Sequence, residues 1–129
     1  MLSIGTTVMN VADLRRAAAF WQAALGYVPR REPGEDWAPE GDDFLILVPP
    51  SGTGARLALN ESDSPPPEVP HVHLDLYAGD AEDQAAEVER LIGLGASRVD
   101  WPWYDEDGDY VVLADPEGNL FCVIDTGRS

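Results

Sequence analysis

The sequence predicts an α+β protein built from two tandem βαβββ modules. One observation is an internal repeat: residues 37–52 (WAPEGDDFLILVPPSG) align with residues 103–118 (WYDEDGDYVVLADPEG), 66 positions further along. The other is that each half shows the same order of strand-like and helix-like patterns. Such self-similarity indicates two copies of one supersecondary unit. Two units of this kind face each other across a pseudo-twofold axis, and the seam between them is a natural place for a ligand.

The first half, residues 1–60, shows one helix pattern among four strand patterns. Residues 3–11 alternate as a strand does. Asp13 can cap a helix that ends at Leu25, since apolar residues recur there every three or four positions and Gly26 supplies a left-handed stop. Three further strands are predicted at residues 27–31, 44–48 and 56–60.

The second half repeats that order after a proline-rich linker. Residues 61–70 contain Ser-Pro-Pro-Pro, which favours an extended and exposed chain, so we place the module boundary there. In the second module, residues 71–129, a strand is expected at 71–77 and a helix at 80–94, with Ala81, Ala85 and Val88 on its buried face. Strands follow at 97–102, 109–114 and 120–125, and Asp115–Asn119 forms the last turn.

Length and composition indicate one globular domain in a reducing compartment. The chain has 129 residues, 44% of them hydrophobic, and a single cysteine, Cys122. It contains no apolar run of transmembrane length and no secretory signal pattern. We therefore expect a cytoplasmic protein in which Cys122, in mid-strand, is buried and inert.

The charge is strongly acidic, with 24 Asp and Glu residues against 8 basic residues, all arginine. This balance argues against nucleic acid and anionic membranes as partners, because no basic stripe could offset the repulsion from phosphates. The acid either keeps the protein soluble or attracts a cationic ligand.

Two acidic aromatic clusters occupy equivalent places in the repeat. Aromatic rings near carboxylates suit flat or cationic organic ligands, although the rings could equally be structural. The strand at 71–77 adds a face of polar residues, as expected beside a wet cleft. The cluster members are Trp37 and Phe44 with Glu35, Asp36, Glu40, Asp42 and Asp43, then Trp101, Trp103, Tyr104 and Tyr110 with Asp105, Glu106, Asp107 and Asp109; the polar face holds His71, His73, Asp75 and Tyr77.

The sequence also resembles the vicinal-oxygen-chelate superfamily of glyoxalases, bleomycin-resistance proteins and extradiol dioxygenases. The resemblance is carried by VADLRRAAAFW with LGY in residues 11–27, by PHVHLDL in residues 70–76, and by LADPEGNLFCVID in residues 113–125. The last stretch is similar to the family's closing DPxGN hairpin. The resemblance spans essentially the whole chain. It implies a curved mixed sheet around a cavity and a homodimer.

The resemblance also implies where a metal would bind. Its metal-dependent members take ligands from the first and last strand of each module, and those positions fall on Thr6, Ala58, His71 and Cys122. Only His71 is a good ligand among them, so we interpret them as vestigial ligand positions. A zinc site from His71, His73 and Cys122 is conceivable, but no carboxylate is expected beside it. His71 and His73 could also transfer protons, or simply contact a ligand.

These inferences predict a metal-free small-molecule-binding protein of the glyoxalase and bleomycin-resistance type, with no cofactor and no catalytic residue. It would sequester an aromatic or cationic metabolite or antibiotic. The alternative is a metal-dependent glyoxalase-like lyase, isomerase or dioxygenase with a rearranged metal site, and a third is an adaptor whose cleft its own side chains fill. The expected ligand-binding residues are Trp37, Arg56, His71, His73, Asp75, Trp101, Trp103 and Tyr110.

Overall fold

The computed structural model of the protein describes residues 1–30 and 43–127. It confirms the predicted α+β class and the βαβββ order in both halves. The elements are β1 (Thr6–Val11), α1 (Leu14–Leu25), β2 (Val28–Pro29), β3 (Phe44–Val48), β4 (Arg56–Glu61), β5 (Leu74–Ala78), α2 (Ala81–Leu94), β6 (Ser97–Arg98), β7 (Tyr110–Ala114) and β8 (Leu120–Asp125).

The strands form two mixed four-stranded sheets of identical topology. Their orders are β1-β4-β3-β2 and β5-β8-β7-β6. In each sheet the first and last strands of the module pair in parallel, and the other neighbours are antiparallel. The chain divides into two compact units between Pro65 and Pro66, here called the first and second modules.

Both helices begin and end where local chemistry dictates. The Asp13 carboxylate accepts a hydrogen bond from the Arg16 amide, and Asp80 does the same for the Asp83 amide, which satisfies amides that have no partner within the helix. Gly26 ends α1 with φ 69° and ψ 21°, a left-handed conformation that a side chain would disfavour. Within residues 1–30 and 43–127, neither helix combines the length and the apolar character that a membrane crossing requires.

Helix α1 buries the stripe that its sequence predicts. Leu14, Ala17, Ala18 and Trp21 are each at most 1% exposed. Phe20 meets Trp21 edge to face, with ring centroids 5.0 Å apart. The sheet supplies the facing layer, from leucines on β3 and β4 such as Leu47 and Leu59. This packing is the core of the first module.

Helix α2 differs from the prediction in which face it buries. Val88 and Leu91 are buried as expected, whereas Ala85 is exposed and Gln84 lies against the sheet. The Gln84 side-chain amide donates to the backbone carbonyls of Asp109, 3.0 Å away, and Val123, 2.9 Å away. Gln84 can occupy the face toward the sheet because its side chain forms hydrogen bonds there. A search for apolar periodicity does not reveal such a residue.

Several strands are shorter than predicted, among them β1, β2, β5 and β6. β1 begins at Thr6, β6 ends at Arg98, and β5 begins at Leu74 rather than at position 71. The start of β5 is set by its partner strand β8, which begins at Leu120 after the turn at residues 115–119. Leu74 already pairs with Phe121, so little of β8 is left to pair with residues before Leu74. Val72, expected to pack on the helix, is therefore 79% exposed.

Candidate ligand and metal site

The second module contains a cavity of about 320 Å³ on the sheet face that carries the polar residues of β5. This volume lies at the small end of the range for organic ligands. Its presence counts against the adaptor alternative, which predicted no ligand-sized cavity. The lining residues are Pro70, His73, Asp75, Trp101, Asp109, Tyr110, Val112, Leu120, Phe121, Cys122 and Ile124.

Strand pairing brings three chemically different side chains together in this lining. β5 and β8 run in parallel with Asp75 opposite Cys122. His73 immediately precedes β5, and its side chain lines the pocket together with that of Asp75. The nitrogen of His73, the carboxylate oxygen of Asp75 and the sulfur of Cys122 all lie within 4.8 Å of one another.

Asp75 is the centre of this group. One of its carboxylate oxygens lies 3.0 Å from Nε2 of His73, and the two side chains are 46% and 43% exposed, respectively. The same carboxylate accepts a hydrogen bond from the thiol of Cys122. An acidic group that contacts both a histidine and a thiol gives this end of the pocket a preference for cations and hydrogen-bond donors.

The thiol of Cys122 is held in its protonated form. Burial raises the pKa of Cys122 to about 11, with further contributions from the charge of Asp75 and from the hydrogen bond to it. Because the thiolate is the nucleophilic form, Cys122 is a poor nucleophile at neutral pH. The burial of Cys122 confirms that part of the prediction.

Part of the pocket lining is aromatic, and further aromatic side chains pack against it. Trp101 and Tyr110 line the pocket, whereas Trp103 and Tyr104 do not. Trp103 packs edge-on against Trp101 with ring centroids 4.8 Å apart, and Tyr104 stacks on Tyr110 at 5.2 Å. The Tyr104 hydroxyl also accepts a hydrogen bond of 2.7 Å from the amide of Val112, where the short β6 leaves the edge of β7 without a strand partner.

The residues predicted for the site fall into three groups. His73, Asp75, Trp101 and Tyr110 line the pocket of the second module, as does Cys122. His71 is exposed and lies outside both β5 and the lining. Trp103 also lies outside the lining but contacts two of its residues, Trp101 and Tyr110. In the first module, Arg56 is an exposed residue at the start of β4, and Trp37 lies outside the described residues along with most of its acidic neighbours.

The repeat shows which positions of the two modules are equivalent. Ile46 and Val112 occupy the same position in the repeat. Ile46 pairs with Ala58 and Val112 pairs with Cys122, and therefore Ala58 and Cys122 are counterparts. In the parallel strand pairs, Val8 lies opposite Ala58 and Asp75 lies opposite Cys122. Val8 and Asp75 are therefore counterparts as well.

Thr6 lies two residues before Val8 and His73 lies two residues before Asp75, so Thr6 and His73 are also counterparts. His71, which the sequence alignment had placed there, lies two residues further upstream.

One sequence expectation was wrong: a carboxylate does lie beside the histidine and the cysteine. Asp75 was predicted to share a face with His73, but its position opposite Cys122 was missed. The contact between Asp75 and Cys122 depends on the parallel register of β5 and β8, which the periodicity of a single strand does not reveal. The first and last strands of each module pair with each other, and applying this rule to the second half of the repeat could have indicated that contact.

The donors of this cluster match some divalent cations better than others. Imidazole, thiolate and carboxylate are the ligand types of Zn²⁺, and three protein donors with an open position are typical of its catalytic sites. Mg²⁺ and Ca²⁺ prefer oxygen ligands alone and match poorly. In the first module the counterpart positions hold Thr6, Val8 and Ala58, so this part of the first module lacks the corresponding donor set.

Comparison with known proteins assigns the fold to a family. Residues 6–124 match the family described as the glyoxalase-like domain. The chain belongs to this family. No curated protein matches the chain significantly.

Solved structures of the glyoxalase and bleomycin-resistance group share the fold at low sequence identity. A glyoxalase-related enzyme from Fulvimarina pelagi is 18% identical with a TM-score of 0.68, covering 96% of this chain and 88% of its own. A glyoxalase/bleomycin resistance protein from Albidiferax ferrireducens is 16% identical with a TM-score of 0.63, covering 94% and 96%. The fosfomycin resistance protein FosX from Listeria monocytogenes is 17% identical with a TM-score of 0.68, covering 96% and 91%. At these identities the similarity concerns the fold alone.

Proposed function

We propose that this glyoxalase-like protein sequesters a small organic molecule, a flat neutral or cationic metabolite or antibiotic, in the pocket of its second module. The main support is the composition of that pocket. Trp101 and Tyr110 provide aromatic surface, and Asp75 and Asp109 provide acid in the same lining. Rings of this kind stack on flat ligands and attract organic cations.

The polar end gives the ligand an orientation. Asp75 already accepts hydrogen bonds from neighbouring donors, so an ammonium or amidinium group could take the place of one of them. The formal charge of −16 concentrates cations around the protein and repels anions. These contacts require no metal, which is why binding without a metal remains the leading proposal.

The comparisons support the general class and leave the ligand open. Among the similar structures are proteins described as glyoxalase/bleomycin resistance and fosfomycin resistance proteins. An antibiotic is therefore a reasonable ligand class for this chain, but its chemical type rests on the pocket.

A matched pair of variants tests whether this pocket is the binding site. Tyr110 lines the pocket, and its repeat counterpart in the first module is Phe44, which is 44% exposed. Isothermal titration with phenethylamine should show Tyr110→Ala weakening binding by about 3- to 10-fold, corresponding to roughly 0.7–1.4 kcal/mol of lost aromatic contact. Phe44→Ala should bind like the wild type. Equal loss in both variants, or no loss in either, would remove the second-module pocket as the site.

The alternative, a metal-dependent lyase, isomerase or dioxygenase, has one specific observation in its favour. His73, Asp75 and Cys122 form the type of donor set that such an enzyme would need. A reaction with an aldehyde, epoxide or catechol substrate that appears only after metal addition would favour this alternative over sequestration.

A further inference from the structure

The aromatic part of the pocket lining offers ring surface to a ligand, while its hydroxyl proton is used elsewhere. Tyr110 lines the pocket, and its hydroxyl donates to the backbone carbonyl of Trp103, which lies 3.2 Å away and outside the lining. Tyr104 stacks on Tyr110 with ring centroids 5.2 Å apart and also lies outside the lining. The part of the Tyr110 ring that reaches the pocket is therefore the part that Tyr104 leaves uncovered.

Trp101 adds a second ring that is positioned in the same way. Trp103 packs against it edge to face, with ring centroids 4.8 Å apart and planes at 73°. Trp101 and Tyr110 are both half-buried, so each ring keeps an accessible surface while its neighbours limit its movement. Because the faces of aromatic rings are negative, two rings held in place beside a carboxylate attract organic cations.

The floor of the pocket between Asp75 and these rings is largely apolar. Cys122 lies opposite Asp75 on one side and opposite Val112 on the other, and Ile124 lies opposite Tyr110. The thiol of Cys122 already donates its proton to Asp75. A ligand head group that rests on Val112 and Ile124, here called the aliphatic strip, meets methyl groups, and this favours apolar surface on the head group itself.

Asp75 supplies negative charge, but part of its capacity to accept hydrogen bonds is already in use. Its Oδ1 atom lies 3.0 Å from Nε2 of His73, and its carboxylate accepts a hydrogen bond from the thiol of Cys122. A primary ammonium group has three N–H donors and loses hydrogen bonds to water when it enters the pocket. It must then displace one of these two neighbours or leave a donor without a partner. A quaternary ammonium group has no N–H and needs only charge and ring contacts.

We propose that the pocket of the second module recognises a methylated ammonium head group, with the quaternary trimethylammonium group as its preferred ligand class. Trp101 and Tyr110 contact the methyl groups, the aliphatic strip packs beneath them, and Asp75 supplies the balancing charge. This inference rests on the proposed function and narrows its organic cation to one chemical type.

One matched pair of ligands tests the preference for methylation. Phenethylamine and N,N,N-trimethylphenethylammonium share a ring and a linker, and both are cations at about pH 7.5. Isothermal titration of the metal-free wild-type protein should show the trimethyl compound binding about 5- to 20-fold more tightly. Equal binding, or tighter binding of the primary amine, would overturn this inference and leave the proposed function in place. Binding of neither compound would contradict both.

A second pair of ligands separates charge from apolar contact. Choline and 3,3-dimethyl-1-butanol have the same shape, but only choline is charged. Choline should bind at least about 5-fold more tightly, and Asp75→Asn should reduce this ratio because the balancing charge is removed. If the neutral alcohol binds as tightly as choline, the pocket recognises an apolar group and the inference is wrong.

A pair of variants tests the contribution of the rings. Tyr110→Leu keeps an apolar side chain but removes the ring, so the preference for the trimethyl compound should fall to about 2-fold or less. Phe44→Leu makes a similar change at the counterpart position of the first module and should leave the preference unchanged. Circular dichroism shows whether each variant is folded, and Trp101→Leu replaces Tyr110→Leu if that variant is not. An undiminished preference in the folded ring variant would overturn the role given to the aromatic lining.

Discussion

At the scale of single residues, Asp75 determines the chemistry of the pocket. It lies 3.0 Å from His73 and opposite Cys122, and its charge is one reason that the thiol pKa is raised. Its side chain is also about half exposed, so water screens part of this charge. We therefore expect Asp75 substitutions to change ligand preference and thiol chemistry more than stability.

The raised pKa of Cys122 predicts slow alkylation. With a pKa of about 11 instead of 9.0, the thiolate fraction at pH 7.5 is about 100-fold lower than for an ordinary thiol. Mass spectrometry of iodoacetamide-treated protein should show a rate that keeps rising up to about pH 11. Asp75→Asn removes the charge and weakens the hydrogen bond, so it should speed alkylation at pH 9, while Asp105→Asn should not. A rate that levels off near pH 9 in the wild type would contradict the assignment.

The raised pKa of Cys122 also determines how the free energy of unfolding changes with pH. The folded state holds the Cys122 proton more tightly than the unfolded state does. The stability contributed by the neutral thiol is therefore fully present below about pH 9, and it is lost as the pH rises through about 11.

At the scale of elements, the loop between β6 and β7 supports the pocket wall. Tyr104 stacks on Tyr110 and accepts the hydrogen bond of the Val112 amide, so one side chain holds both a lining ring and a strand edge. The Tyr110 hydroxyl in turn donates to the carbonyl of Trp103 at 3.2 Å. The wall is built by contacts that connect the loop to β7.

Removal of the Tyr104 hydroxyl should loosen this wall. Tyr104→Phe leaves the Val112 amide without its partner while keeping the ring, so we expect the free energy of unfolding to fall by about 0.5–1.5 kcal/mol in urea titrations. The control is Tyr77→Phe, because Tyr77 is 79% exposed on β5; it should change stability by less than about 0.5 kcal/mol. Equal effects of the two substitutions would contradict the role given to Tyr104.

The elements also show which parts of the structure the sequence could predict. β3, β8 and both helices were predicted closely because a short apolar run, an Asp cap and a stop glycine are local signals. The start of β5, the inward face of Gln84 and the contact between Asp75 and Cys122 were missed. Each of these depends on another part of the sheet. The start of β5 depends on where β8 begins, the position of Gln84 on the carbonyls of Asp109 and Val123, and the contact of Asp75 on the parallel register.

At the scale of the whole molecule, oligomeric state remains a prediction. Several large apolar side chains are exposed on the strands, among them Val8 at 55% and Phe44 at 44%. Exposed apolar sheet surface is commonly covered by a second subunit. We therefore expect sedimentation velocity at micromolar concentration to show a homodimer. A monomer under those conditions would contradict this expectation.

The acidity of the whole chain and that of the pocket act in the same direction. The formal charge of −16 attracts cations at long range, and this effect is screened by salt. Contacts in the pocket, by contrast, are short-range and depend on Asp75 and the aromatic wall. Salt and an Asp75 substitution therefore separate the two contributions.

The central claim is that the second-module pocket prefers an organic cation to an anion, and one matched pair of ligands tests it most directly. Phenethylamine and 3-phenylpropionate share a ring and a two-carbon linker and differ in charge. Isothermal titration of the metal-free protein should show the amine binding at least about 5-fold more tightly, with part of that preference persisting in about 0.5 M salt and falling sharply in Asp75→Asn. Tighter binding of the carboxylate, or a preference that Asp75→Asn leaves intact, would contradict the account.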